Sequence, residues 1–134
     1  MNAKHVQLAA KAIVVILFLL GVFQVALILG APLGHFAWGG QYRVLPSVLR
    51  VGSASSLVLY VIFSLIILDR AKVVDVFRKK KISYVGAWIL TGYSAIGILM
   101  NAASRSHPER YVQTPVVAIL FLLMLYVAKS AKNS

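Results

Sequence analysis

Residues 12–30 read AIVVILFLLGVFQVALILG, and the reading of this stretch decides the fold. The run is about 19 residues long, carries no charge and is interrupted only by Gly21 and Gln24, so as a helix it crosses a hydrocarbon core of roughly 30 Å. A secretory signal would stop after an apolar segment of about 7–15 residues and a small-residue cleavage site. The length therefore favours a membrane span. The rest of the chain agrees: of 134 residues, 60% are hydrophobic and 13% charged, well outside the composition of a soluble domain. The length fits one domain.

Three more runs follow, and spans are expected at about 12–30, 51–68, 85–102 and 115–128. The expected fold is all-α: a four-transmembrane-helix bundle with two structured outer loops. In the second run Gly52, Ser56, Tyr60 and Ser64 recur every fourth residue and form one stripe suited to helix packing. In the third, Thr91, Ser94, Ile98 and Asn101 fall within about 80° of arc, and Gly86, Gly92 and Gly97 permit close helix approach. Between runs two and three, Asp69 to Tyr84 mixes six basic residues with Val73, Val74, Val76 and Phe77. Two readings are open there, an interfacial amphipathic helix or a basic loop that fixes topology.

The net charge of +11 would suggest nucleic acid in a soluble protein. Beside apolar runs the same charge marks the cytoplasmic side of a membrane, and no nucleic-acid partner is expected. Lys4, Lys11, Arg70, Lys72, Arg78, Lys79, Lys80, Lys81, Lys129 and Lys132 fall on one side, against Arg43, Arg50, Arg105 and Arg110 on the other. Both termini are therefore expected in the cytoplasm, with loops 30–50 and 104–114 together on the outer face.

Those two loops hold the residues of unusual character. The first, GAPLGHFAWGGQYRVLP (30–46), offers His35, Trp38, Gln41 and Arg43; the second, with the helix end before it, offers Asn101, Ser104, Ser106, His107, Glu109 and Arg110. Glu109 is the one outer carboxylate, and an ion pair with Arg43 or Arg110 across the loops is its simplest expected role. The alternative makes Glu109 an acid or base. His35, His107 and Glu109 have the chemistry of metal ligands but not a diagnostic spacing, so no metal is expected. The glycines of the first loop lack the lysine and the strand-to-helix context of a phosphate cradle. Cysteine is absent, which removes disulfides and thiolate chemistry.

The spans carry no ionisable side chain near mid-depth, which weighs against proton-coupled transport and bundle haem. No cofactor is expected. Gln24, Ser56, Tyr60, Ser64, Tyr93, Ser94 and Asn101 supply polarity either for packing or for a small outward pocket. QYRVLP before span two and ERYVQTP before span four form a faint internal echo.

The stretches GAPLGHFAWGGQYRVLP and NAASRSHPERYVQTP (101–115) resemble a family of small, uncharacterised bacterial integral membrane proteins with four spans. The resemblance implies a bacterial inner-membrane location and assigns no reaction. Members often carry an aromatic residue near the position of Gln113, where this chain departs. The function expected is binding of a lipid, a small amphipathic ligand or a membrane partner, a second copy included, through the outer loops. The alternatives are an enzyme acting on a lipid or isoprenoid-like substrate through Glu109, with Asn101, Ser104, His107 or Arg43 orienting it, or an oligomeric channel or transporter component.

Overall fold

The computed structural model describes residues 3–104 and 106–130; Arg105 and Lys132 of the charge count lie outside them. Four helices form the chain: α1 (Ala3–Ile28), α2 (Ser47–Arg70), α3 (Lys80–Ala102) and α4 (Thr114–Ser130). A π-helical segment, Glu109–Gln113, continues α4 upstream, and there is no strand among the described residues. Each helix, α4 being taken from Glu109, is long and apolar enough to cross a membrane. Their most apolar windows are at most 28% buried in protein, leaving side chains such as Phe18, Leu29, Val48 and Leu99 directed outward. In water that surface would be untenable; in lipid it is solvated. The chain is a four-transmembrane-helix bundle.

Each helix packs on its sequence neighbours, and α4 closes the ring against α1. Short connections make the bundle up-down-up-down. One end gathers the α1–α2 loop and the start of α4; the other gathers the basic α2–α3 loop, the start of α1 and the end of α4. Glycines set some approaches: a Cβ on Gly86 would stand 2.9 Å from Ile66, and one on Gly97 3.1 Å from Val117, whereas Gly92 meets nothing within 4 Å. The buried core lies toward the basic end, in Val6, Ala10, Ile13, Ile67, Ala87, Val127 and Ala128, and reaches Leu17, Leu90, Leu120 and Met124 at mid-bundle.

The basic segment is a loop only over residues 71–79, because α2 runs on through Asp69 and Arg70 and α3 begins at Lys80. Asp69 explains the tight turn. Its buried Oδ2 accepts from the Val76 and Phe77 backbone N–H groups at 2.8 and 2.9 Å and from Lys80 Nζ at 3.0 Å. Next to it, Arg70 donates to the Ala128 carbonyl at 3.0 Å and lies 4.7 Å from the Tyr84 ring centroid, tying α2 to α4 and α3.

At the other end the sequence reading needs correction. Residues 104–114 are not one polar loop: the backbone is helical from His107, passes through the π segment and continues into α4. Pro115 therefore lies inside a helix and not at its first turn. Proline has no N–H to donate, and a widened turn upstream is a usual way to absorb that loss. The echo between QYRVLP and ERYVQTP has no structural counterpart, since the first is irregular and the second helical.

Candidate functional site

The α1–α2 loop is built as two short 3₁₀ turns, Gly34–Phe36 and Trp38–Gly40. Gly34 N–H donates to the Arg43 carbonyl at 2.8 Å, and His35 Nδ1 donates to the Gly40 carbonyl at 2.8 Å, so the loop is folded on itself. Trp38 has φ of +52°, a costly conformation for a bulky residue. Its surroundings hold it there: the indole rests on Gly52, where a Cβ would stand 2.9 Å from the ring, and Nε1 donates to the buried Ser53 hydroxyl at 3.2 Å. Gly52 thus serves the loop, not a neighbouring helix.

On the α3–α4 side Ser104 is buried and works in two directions. Its hydroxyl accepts from Ser106 N–H at 3.1 Å and donates to Glu109 Oε2 at 3.2 Å. Contacts join this segment to the first loop. Gly40, at φ +71°, presses its α-carbon against Ser106, which leaves no room for a side chain. Ser106 Oγ donates to the His35 carbonyl, and Gln113 Nε2 donates to the Phe36 carbonyl at 3.1 Å.

Beneath that junction lies a cavity of about 530 Å³. Trp38, Gly39, Asn101, Ser104, Glu109 and Gln113 line it from the junction; Leu17, Leu90, Leu120 and Met124 line it from the core. Gln24, Phe36, Tyr60, Phe63, Tyr93 and Ser94 also line it. Phe63 and Tyr93 meet with ring centroids 5.9 Å apart at 59°. Gln24 donates to the Tyr60 hydroxyl at 3.3 Å, and its buried Oε1 has no hydrogen-bond partner.

Glu109 is 8% exposed and lines this cavity. Among the described residues no lysine or arginine pairs with it: the ion pairs are Lys80 with Asp69 and Lys80 with Asp75, at the far end. The expected pair with Arg43 or Arg110 is not formed. Arg43 is exposed, and Arg110, the very next residue, turns outward to His107 Nδ1 at 2.8 Å and lies 5.0 Å from the Tyr111 ring centroid. Consecutive residues on a helix diverge by about 100°, so a buried Glu109 carries Arg110 away from the cavity.

Of the residues singled out in the sequence, Trp38, Asn101, Ser104 and Glu109 come together on one cavity. His35 and Ser106 join the two segments, while Gln41, Arg43 and Arg110 are not among its lining. Asn101 donates to its own helix at Gly97 O, 2.8 Å away, so its carbonyl oxygen is not used in that bond. Ser56 and Ser64 likewise return to backbone carbonyls of α2, at Gly52 and Tyr60. Gln113, a second-loop residue given no site role in the sequence reading, lines the cavity as well. A helical reading of 109–113 puts it one turn after Glu109. No group of three His, Asp or Glu residues able to hold a metal is present among the described residues.

No protein-family model, curated protein or solved structure matches the chain.

Proposed function

We propose that the chain is a multi-pass protein of a bacterial cell membrane, both termini cytoplasmic, that binds a lipid or small amphipathic molecule in the cavity beneath an outward-facing two-loop cap. The observation that carries this reading is a cavity of about 530 Å³ inside an otherwise apolar bundle, with aromatic rings along its wall and a buried carboxylate at one end. That volume lies in the range of small-molecule sites, and apolar walls with few polar groups are how such sites bind and orient a ligand. The orientation is supported by the basic residues concentrated on the α2–α3 loop and at the termini.

Purified protein in phosphatidylcholine nanodiscs, taken through a thermal-shift panel of lipids and single-chain amphipaths, tests the reading. Saturable stabilisation by at least one class is expected, and a flat response to every class would remove the proposal.

A second reading is favoured by Glu109 itself. A buried carboxylate beside Ser104 and Asn101, with no arginine paired to it among the described residues, has the placement of an acid or base for a lipid-like substrate. His107 and Arg43 are not part of that arrangement, since neither lines the cavity. Chemical change of a bound amphipath, abolished by Glu109→Gln with binding retained, would select this reading over simple binding.

A further inference from the structure

A second concavity adjoins the cavity. It is a groove of about 400 Å³ between α1 and the π–α4 segment, walled by Ile16, Leu19, Val112, Val116 and Ile119, with Gln113 its one polar lining residue. Leu20, Phe23, Phe36 and Gln113 line both spaces, so groove and cavity meet across a shared wall. Leu19 and Ile119 are more than half exposed, and on this bundle exposed means facing lipid. The groove thus opens to lipid between α1 and α4 and shares a wall with the cavity that Glu109 lines.

The two spaces differ in chemistry. The groove offers only dispersion and apolar burial, which suits an alkyl chain. The cavity offers the Glu109 carboxylate, with Ser104 the donor given to it, and the Trp38 ring at the same junction, while Tyr60 and Tyr93 line it deeper in the bundle. Among the described residues, Arg110 has its contact at His107 and Arg50 at the Leu45 carbonyl, 2.7 Å away. A carboxylate in such a place is compensated by a hydrogen-bonding cation, and aromatic faces attract the same charge. An anionic head would meet repulsion there.

Resting on the reading that this cavity binds an amphipath, we infer that its occupant carries a primary ammonium head, seated at Glu109, and an alkyl chain laid in the α1–α4 groove, reached sideways from the bilayer. The head chemistry is shared by free long-chain amines and by phosphatidylethanolamine, and the test separates the two.

The chain has two tryptophans, so Trp88→Phe leaves Trp38, on the cavity wall, as the sole indole reporter. In phosphatidylcholine nanodiscs, dodecylamine should change Trp38 emission saturably, with dodecanol and dodecanoate at least tenfold weaker. Glu109→Gln should abolish that preference, and Ile119→Phe, which fills the lipid-facing groove without adding an indole, should weaken all three. Melting of each unliganded variant checks that it is folded; should Glu109→Gln not fold, Glu109→Asp, with the carboxylate drawn back by one methylene, must reduce the preference for the amine. Displacement of dodecylamine by phosphatidylethanolamine added to the disc assigns the site to a bilayer lipid, and failure to displace assigns it to a free amine. Equal binding of the three amphipaths, or an unchanged preference in Glu109→Gln, overturns the ammonium assignment while the amphipath site stands. An Ile119→Phe variant that binds like the parent overturns the groove. No saturable response to any of them overturns the underlying reading as well.

Discussion

The indole of Trp38 rests on Gly52, and the α1–α2 loop is seated on the bundle through that contact. Gly52 is a helical residue whose absent side chain admits a ring from outside the helix. Gly52→Val puts a branched side chain where a Cβ alone would already stand 2.9 Å from the ring. Overpacking of this kind costs about 1–3 kcal/mol. In a Trp88→Phe background the variant should melt lower and shift Trp38 emission to longer wavelength; an unchanged spectrum would show that the contact is not kept.

Gly39 and Gly40 form a controlled pair. Both have positive φ, at +78° and +71°, but a Cβ on Gly39 meets nothing within 4 Å whereas one on Gly40 runs into Ser106. Gly39→Ala bears only the left-handed backbone cost of about 1–2 kcal/mol. Gly40→Ala adds a clash at the junction of the two loop segments and should be the more destabilising. Limited proteolysis between residues 30 and 46 measures the difference: Gly40→Ala should be cut markedly faster than Gly39→Ala, and equal rates would contradict the junction.

At the basic end, Asp69 and Asp75 both meet Lys80, in unlike surroundings. The Asp69 side chain is 0% exposed and holds two backbone N–H groups, while that of Asp75 is 87% exposed. Asp69→Ala leaves two part-buried backbone donors without their acceptor, at up to about 1–3 kcal/mol for each group. Asp75→Ala removes a surface pair worth about 0–1 kcal/mol. Thermal melts in detergent should show a large drop for the first and little for the second. Equal drops would mean that Asp69 does not organise the turn.

What was legible in the chain follows from which forces act locally. A span is declared by the length of an apolar run such as 12–30, because no other residue pattern meets the hydrocarbon core, and the four helices were visible on that ground alone. Helix starts were not, because α1 begins at Ala3 and α3 at Lys80, in polar sequence that reads as loop. SRSHPERYVQT misled for the same reason, its helical continuation into α4 resting on packing against α3 and the Gly34–Phe36 turn and not on its own polarity. Charge counting placed Glu109 near arginines but carries no directions, so it missed that Arg110 turns outward. Asp69 looked like the end of a span, although its carboxylate organises a turn several residues away.

The tail groove has a simple size test. Lengthening the chain of a bound amine from eight to twelve carbons should raise affinity steadily, by up to about 0.8 kcal/mol for each methylene buried. Affinities corrected for partition into the nanodisc provide the measurement. A flat series would mean that the chain stays in bulk lipid.

The most direct measurement is a structure of the protein in lipid nanodiscs at a resolution that shows acyl chains. Elongated density is expected to enter between α1 and α4 beside Ile119, pass Phe36 and end in contact with Glu109 below Trp38. A cavity closed by side chains, with Glu109 turned onto an arginine and no elongated density between the loops, would contradict it.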